Sequence, residues 1–388
     1  MNRLSKGAAC AVAGMLALAA SACTASNAND AHASAGPFKI ALSMSYSGND
    51  WQTTAANLIK AEAATGDYAK IVKLRVDVAG TSIPNQIQTI NNEVAAGMNA
   101  IIVYPLSPTA LNPAIQAACG KGVTVFAYDS YVTAPCAYNV RDNVIDMGYQ
   151  GMSWLAKKML ASHKTQLGLI TGVAGTTANT DYLTGVDKAL KQNPGISIVA
   201  TAPGLWDPAV IKTAFSAMYA AHPNLGGVWG TFACAAVHQV LSAQGKPDIP
   251  CAGGDTNAER LLMLPKTEGG QGLDNISVSA PPYNGELAFM LAVKVLQGKK
   301  VAKDTVLPTD VVTQANLKQG TNPAEGANVF PSGSVSPGFS DSFWNPLVEQ
   351  GLAAAKTGRS EKVSNAKPCG AVKGCLTFSK LTTNLPTF

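Results

Sequence analysis

Two aspartates stand where a folded chain could present them to a ligand. Asp129 follows the apolar run 123–127, and Asp255 follows the run 249–253. Both runs predict buried strands, and an ionised carboxylate at a strand end accepts paired hydrogen bonds from neighbouring hydroxyl groups. A helix cap or a hinge contact is the competing interpretation for each. We expect both aspartates to contact a ligand.

Aromatic and polar side chains near other predicted strand ends extend this group. Trp51 lies with Asn49 in a loop directly after the first predicted strand, where a core position is less natural for an indole. Aromatic faces cover the apolar face of a sugar ring, so this loop fits a carbohydrate. Asn49 could instead cap the following helix, and Trp229, inside an apolar strand, could be a core residue. Further candidates are Tyr104, Asn179 and Tyr283.

Motifs of catalysis and metal binding are missing from the sequence. The four histidines have no nucleophile or carboxylate at motif spacing, and no GxSxG, HExxH or phosphate-loop pattern occurs. No CxxC pair is present, so a zinc site is not expected. We expect no catalytic residues, no metal and no cofactor. Two distant carboxylates suffice for a glycosidase, so an exported carbohydrate-active enzyme stays an alternative.

The elements that must position these side chains alternate between strand and helix. Residues 97–131 contain a β-branched run at 100–104, a helical pattern at 109–118 and the buried run 123–127, which together predict a βαβ unit. Parallel strands of this kind bind ligands at their carboxyl ends. The order of elements then repeats, with 40–43, 100–103 and 123–129 corresponding to 167–170, 226–229 and 250–255. Two similar lobes facing a shared gap predict a ligand cleft.

The N-terminus predicts export. Arg3 and Lys6 precede an apolar run over residues 8–20, which is too short for a good membrane span and is typical of a signal peptide. The run that ends in Cys23, Ala-Ser-Ala-Cys, resembles a bacterial lipobox, whose cysteine becomes the lipidated first residue. Ordinary cleavage nearby is the alternative. Lipidation at Cys23 is the expectation.

The remaining cysteines and the overall composition fit an exported globular protein. Six cysteines follow Cys23, and an even number in an exported chain predicts disulfides. The expected pairs join sequence neighbours: Cys119 with Cys136, Cys234 with Cys251, and Cys369 with Cys375. The 388 residues are 47% hydrophobic and 14% charged, enough for two packed domains. The formal charge of +5 is spread thinly, so nucleic acid is not an expected partner.

The ordered landmarks of the chain resemble the type I periplasmic sugar-binding proteins, the ribose-binding group. They cover roughly residues 38–300, namely 39–42, 91–105, 122–129, 140–143, 172–176, 221–225 and 253–255. The resemblance implies an α/β fold of two Rossmann-like lobes, with parallel sheets joined by a crossover hinge. The lobes would close on a small ligand and hand it to the membrane permease of an ATP-driven (ABC) importer.

The resemblance also implies a division of the chain into discontinuous lobes. Hinge segments crossing after Val140 and near Ala280 place parts of both halves in each lobe. The expected divisions are a signal peptide at 1–22, a tether at 23–36, an N-terminal lobe at 37–141 plus 282–311, and a C-terminal lobe with an extension at 142–281 plus 312–388.

Individual site residues carry over from this group by position. Asp129 and Asp255 match its two ligand-binding aspartates, Asn49 and Trp51 match the polar and aromatic positions of its first loop, and Phe232 falls where it often has asparagine. Arg141 is a further ligand candidate, which could instead pair with Asp142 as part of a solvated hinge.

Two departures from the group concern the ligand itself. Residues 175–180 lack the arginine that the ribose-binding group uses there, and Pro281 replaces its glutamine. Both argue against ribose. The expected function is a lipid-anchored receptor for a neutral sugar or polyol, in the periplasm or on the outer face of the cytoplasmic membrane. A sensory module that serves a chemoreceptor or kinase is the other alternative.

Overall fold

The computed structural model describes residues 37–45, 50–64, 67–254, 257–263, 265–268, 270–280, 282–307, 309–315 and 361–362. The strands are β1 (Phe38–Met44), β2 (Val72–Val78), β3 (Ala100–Val103), β4 (Thr124–Tyr128), β5 (Tyr138–Asp142), β6 (Gln166–Thr171), β7 (Ser197–Pro203), β8 (Gly227–Trp229), β9 (Cys251–Gly254), β10 (Ile276–Ser279), β11 (Asp304–Leu307), β12 (Asp310–Thr313) and β13 (Glu361–Lys362). The helices are α1 (Asp50–Ala63), α2 (Tyr68–Ile71), α3 (Ile83–Ala95), α4 (Asn112–Gly120), α5 (Val144–Ala161), α6 (Thr177–Gln192), α7 (Pro208–Ala221), α8 (Cys234–Ala243), α9 (Asn257–Met263) and α10 (Tyr283–Leu296).

The described strands form two sheets of the same design. The first has the order β13-β11-β5-β4-β3-β1-β2, and the second has the order β12-β10-β9-β8-β6-β7. From β5 to β2 and from β10 to β7 the two orders correspond strand for strand, which confirms the predicted repeat. Within the described residues every pairing is parallel except that of β10 with β12. The predicted α/β class is confirmed.

Each sheet is packed between two layers of helices. In β3, Ala100 and Ile102 join the core shared with α1 and α10, whereas Ile101 and Val103 join the core shared with α4. Successive side chains of a strand point to opposite faces, so an unbroken apolar run is what a doubly covered strand requires. The second sheet divides its core in the same way between α5 with α6 and α7 with α8.

Between β1 and β12 the chain passes from one sheet to the other three times. It leaves β5 for α5 at Asn143, whose side chain accepts a hydrogen bond from the backbone N–H of Asp146 at 3.4 Å and begins the helix. It returns between β10 and α10, and it crosses again between β11 and β12. We call the elements around the first sheet, including α1–α4 and α10, the first lobe, and those around the second sheet, including α5–α9, the second lobe.

Two details of the predicted lobe division differ from this arrangement. The prediction placed the third crossing after residue 311, but β12 already begins at Asp310 in the second sheet. It also assigned all of 312–388 to the C-terminal lobe, whereas β13 pairs with β11 in the first sheet. The two residues of β13, Glu361 and Lys362, pair with Thr305 and Val306 at the edge of β11.

Disulfides close a loop in each lobe. Cys119 at the end of α4 is bonded to Cys136, and Cys234 at the start of α8 is bonded to Cys251 in β9. These two predicted pairs are confirmed, and because each lies inside one lobe, neither restrains the lobes against each other. The third predicted pair, Cys369 with Cys375, lies outside the described residues, as do Cys23, the signal peptide and the whole tether. Among the described helices none combines the length and apolar character needed to cross a bilayer.

Glu93 is a buried carboxyl group under the first sheet. It lies on α3 with no exposed surface and faces Ser43 and Asp77. Burial raises its pKa from the ordinary 4.5 to about 8; Asp77 adds to this rise, while Ser43 and Arg75 oppose it. Since the pKa is higher in the folded state, the neutral acid is the form that the fold favours. This contribution to stability is complete below about pH 4.5 and is lost as the pH rises through about 8.

The Glu93→Gln variant tests this account, because its amide stays neutral at every pH. We expect the variant to exceed the wild type in free energy of unfolding at pH 9 by on the order of 2 kcal/mol and to match it closely at pH 5. Urea denaturation at both pH values measures the difference. A variant that is no more stable than the wild type at pH 9 would show that Glu93 is not held neutral.

Candidate ligand-binding site

A cavity with about 350 Å³ of unfilled space lies between the carboxyl ends of the two sheets. The first lobe contributes Trp51, Gln52, Tyr104 and Asp129, and the second lobe and its crossing contribute Ala178, Tyr182, Trp206, Thr231, Phe232 and Ala280. Six of these ten lie within three positions after a strand end, as the parallel topology dictates: Tyr104, Asp129, Trp206, Thr231, Phe232 and Ala280.

Two aromatic rings of the first lobe, Trp51 and Tyr104, line the cavity, and the fully buried ring of Tyr128 packs against both. Trp51 lies parallel to Tyr128 with ring centroids 6.5 Å apart, and Tyr104 meets both rings edge-on. The indole N–H of Trp51 donates to the carbonyl oxygen of Ala280 at 2.5 Å. This bond links the first helix to the segment that crosses between the lobes. The orientation of Trp51 is therefore set by the protein before a ligand arrives.

Among the described residues that line the cavity, Asp129 is the acidic one. It is 8% exposed and follows β4 with a left-handed backbone, φ 62°. Burial raises its pKa to about 6, while hydrogen bonds donated by Asn284 and by the Tyr104 hydroxyl act in the opposite direction. Near neutral pH the side chain is a carboxylate that accepts hydrogen bonds from Asn284 and Tyr104. Its remaining acceptor capacity can serve ligand hydroxyl groups.

Trp206 is the large aromatic residue of the opposite wall. Leu205 and Trp206, in the loop after β7, both have φ 55°, and the next residue, Asp207, caps α7 with its side chain. A Cβ atom placed on Gly172 would overlap the indole of Trp206. Only glycine at position 172 leaves room for the ring in this position.

Backbone strain concentrates at this cavity. Within the described chain, five residues other than glycine have a left-handed φ, and three of them line the cavity: Asp129, Trp206 and Phe232. Such residues cost of order 1–3 kcal/mol each and cluster at functional sites. This coincidence supports the cavity as the candidate functional site.

Direct contacts join the lobes around the cavity. The backbone N–H of Tyr131 in the first lobe donates to the hydroxyl of Thr177 in the second at 3.0 Å. Phe232 packs against the apolar cores of both lobes. The lobes therefore enclose the cavity from two sides, and a ligand inside it contacts both.

The structure places the predicted site residues in three groups. Trp51, Tyr104, Asp129 and Phe232 line the cavity, and their ligand contacts stay predictions. Asn49 and Asp255 lie outside the described residues. The remaining candidates, which the structure places outside the cavity lining, are Arg141, Asn179, Trp229 and Tyr283.

Each residue of the third group has a contact that explains its position. Arg141 donates two hydrogen bonds, at 2.9 and 2.8 Å, to the carboxylate of Asp304. The side-chain oxygen of Asn179 accepts the backbone N–H of Gly172 at 2.8 Å. Trp229 and Tyr283 are buried in the cores of the second and first lobes, respectively.

Sequence reasoning missed six lining residues: Gln52, Ala178, Tyr182, Trp206, Thr231 and Ala280. A usable signal existed for Trp206 and Thr231, because they follow β7 and β8 just as Asp129 follows β4. Tyr182 lies in the second turn of α6 and carries no comparable signal. Nowhere in the described chain do three or more His, Cys, Asp or Glu side chains converge as a metal site would require.

Comparison with known proteins finds matches along most of the chain. The periplasmic binding protein domain matches residues 40–300. A xylitol-binding protein of Mycolicibacterium smegmatis is 25% identical over 327 residues, which are 82% of this chain and 88% of that protein. The ribose import binding protein of Bacillus subtilis is 24% identical over 71% of this chain and 88% of its own length.

Solved structures show the same fold. An ABC transporter solute binding protein from Thermobispora bispora superposes with a TM-score of 0.67 at 25% identity, over 84% of this chain and 98% of its own. A solute binding protein from Mycobacterium smegmatis with bound glycerol superposes with a TM-score of 0.64 at 24% identity, over 72% of this chain and 96% of its own.

Proposed function

Because this chain belongs to the periplasmic binding protein family, we propose that it captures a small neutral sugar or polyol in the cavity between its lobes. It then delivers the ligand to an ABC-type permease. The relatives with known ligands are named as binding proteins for xylitol, ribose and other sugars, and none of those matched is named as an enzyme. We therefore assign a binding role and no catalytic role.

The observation that carries this proposal is the chemistry of the cavity lining. Among the lining residues that the structure describes, five are aromatic, one is a carboxylate, and none is lysine, arginine or histidine. An anion there would meet the negative charge of Asp129, and no described lining residue would compensate it with a positive charge, so its desolvation cost would be high. A neutral ring or chain with hydroxyl groups can place its C–H surface on the aromatic faces and donate to Asp129.

Polar groups on both walls would set the orientation of the ligand. Gln52 and Asp129 from the first lobe and Thr231 from the second are buried at the cavity surface. A polyhydroxylated ligand that bonds to both sets gains contacts only when the lobes are together. Its binding therefore favours the closed arrangement over an open one.

Export and lipid attachment at Cys23 belong to the same proposal. A binding protein of this family works outside the cytoplasmic membrane, and a lipid on Cys23 would keep it near its permease. Metabolic labelling with a radioactive fatty acid tests this point. We expect label on the wild type and none on the Cys23→Ala variant.

A thermal-shift panel tests the ligand class. The purified protein is heated with pentoses, hexoses, pentitols, sugar phosphates and amino acids, each at millimolar concentration. We expect at least one neutral sugar or polyol to raise the melting temperature, because a ligand at 100 times its Kd adds about 2.7 kcal/mol to stability. A shift produced only by an amino acid or a sugar phosphate would contradict the proposed class.

Trp206 should contribute to affinity through its ring. Trp206→Ala is expected to weaken binding of the neutral ligand about tenfold, because the loss of an aromatic face costs about 1–2 kcal/mol. Titration calorimetry measures the change. Trp154→Ala is the matched control, since Trp154 packs against the core of the second lobe away from the cavity. Equal affinity of the Trp206→Ala and control proteins would remove Trp206 from the site.

A further inference from the structure

Behind the cavity, Asn284 lies between two buried carboxyl groups. Its side-chain amide nitrogen is 2.8 Å from Oδ2 of Asp142 and 3.4 Å from Oδ1 of Asp129. Asn284 has no exposed surface, and Asp142 is 1% exposed. Asp142 ends β5 just before one lobe crossing, and Asn284 stands in the first turn of α10 just after another. The cluster therefore connects the cavity to two of the segments that join the lobes.

Two charges on this cluster would be uncompensated. If both carboxyl groups were ionised, two buried negative charges would lie around the Asn284 amide, and only Asp129 would have a further donor, the Tyr104 hydroxyl, among the contacts described. Arg141, the adjacent residue of β5, already forms a paired salt bridge with Asp304. Arg141 also precedes Asp142 in the strand, so the two side chains point to opposite faces of the sheet.

Unpartnered atoms indicate which carboxyl group holds the proton. Across the residues described here, Oδ1 of Asp142 and Oδ1 of Asn284 are buried without a hydrogen-bond partner. A proton on Asp142 would make this carboxyl group a hydrogen-bond donor. Its acceptor would be the carbonyl oxygen of Asn284, because the amide group of Asn284 is already hydrogen-bonded to Asp142. An ionised Asp142 would leave both oxygens unsatisfied in the interior, which is costly.

The surroundings of the two acids support the same assignment. Burial and the nearby charge of Asp129 raise the pKa of Asp142 well above its ordinary value, against the smaller opposing effects of Asn284 and Arg141. Asp129 has two donors, Asn284 and Tyr104, and borders the cavity. On α10, Glu286 lies two residues from Asn284 and so on the other side of the helix. The asymmetry resembles other acid pairs whose environments separate their roles.

We propose that Asn284 is a positioning residue for ligand binding: a neutral Asp142 holds its amide, and the amide in turn holds Asp129 as the carboxylate that receives the ligand. The cluster then carries one negative charge, located on the cavity side. This inference rests on the proposed function for its role in binding, but the charge distribution is measurable without any ligand.

Carbon-13 NMR of protein labelled at the aspartate carboxyl carbons tests the cluster, with signals assigned from the Asp129→Asn and Asp142→Asn variants. We expect Asp129 to titrate near pH 6 and Asp142 to remain protonated while Asp129 ionises. In Asn284→Leu, the loss of the N–H donor should raise the titration midpoint of Asp129 by about one pH unit. In Asp142→Asn, one neutral group replaces another, so the midpoint of Asp129 should move by less than about half a unit.

Ligand affinity should follow the same titration. For the neutral ligand found by thermal shift, we expect affinity to fall below about pH 6 in the wild type, because protonation removes the acceptor charge of Asp129. In Asn284→Leu the fall should begin about one unit higher, giving roughly fivefold weaker binding than wild type at pH 6. A merely structural role for Asn284 would lower affinity equally at every pH and would overturn the proposal.

Other outcomes also decide the matter. If Asp142 ionises at a lower pH than Asp129, or if Asp142→Asn lowers the midpoint of Asp129 by more than about one unit, Asp142 carries the charge and the proposal fails. Should Asn284→Leu not fold, the Asp142→Asn titration alone distinguishes a neutral Asp142 from an ionised one. If no neutral polyol binds, the proposed function fails, while the NMR titration still reports on the cluster.

Discussion

Replacing Asp129 with alanine is expected to weaken binding of the neutral ligand by about ten- to a hundredfold or more. A hydrogen bond to a charged group contributes roughly 1.5–3 kcal/mol, and Asp129 is the acidic residue of the cavity lining. Titration calorimetry at pH 7.5, well above the pKa of about 6, measures the effect on the ionised form. The left-handed backbone at this position also makes the asparagine variant a useful companion.

The control for this experiment is an aspartate on the surface. Asp187 on α6 pairs with Lys191 in a solvent-exposed salt bridge, so Asp187→Ala removes the same charge far from the cavity lining. We expect its affinity to stay within about twofold of the wild type. If Asp129→Ala binds as tightly as Asp187→Ala, the ligand is not held by Asp129 and the assigned site is wrong.

The second large effect concerns stability, at the place where α5 and α6 cross. A Cβ atom on Gly185 would overlap the carbonyl oxygen of Ile145 and lie 2.6 Å from the backbone nitrogen of Tyr149. A Cβ atom on Gly148 would likewise overlap the carbonyl oxygen of Tyr182. Because these neighbours are backbone atoms of regular helices, they cannot move aside individually. The two helices must separate instead.

Gly185→Ala is therefore expected to lower the free energy of unfolding by about 2–3 kcal/mol, even though alanine is the better helix former by about 1 kcal/mol. Urea denaturation measures the loss. Separation of the helices should also displace Tyr182, which lines the cavity, so ligand affinity should fall as well.

Gly120→Ala is the matched control for this substitution. Gly120 ends α4, and a Cβ atom there meets nothing within 4 Å. We expect a change within about 0.5 kcal/mol. A Gly185→Ala protein as stable as this control would show that the helices are not in such close contact.

The parts of the fold that the sequence predicts well are those whose reason is local. The strands β3 and β4 are built from apolar runs because both of their faces are covered, and such runs are visible in the sequence. Asp129 follows such a strand, so its place at the cavity could be inferred. The two disulfides also join cysteines only 17 positions apart in the chain.

The parts that escaped prediction depend on residues distant in the chain. Arg141 was predicted as a ligand residue, but its side chain pairs with Asp304, which lies 163 positions later in the chain. Asp304 begins a short strand that the sequence pattern did not predict. Trp206 lines the cavity because its loop adopts left-handed backbone angles and Gly172 leaves space for the ring. Tyr182 owes its position to the close crossing at Gly148. None of these conditions can be read from neighbouring residues.

A crystal structure with the neutral sugar or polyol that gives the largest thermal shift tests the central claim most directly. We predict electron density for the ligand between the lobes, with a hydroxyl group within hydrogen-bonding distance of Asp129 and carbon atoms against Trp206 or Trp51. Density for that ligand at another place, with the cavity between the lobes holding only water, would contradict the account.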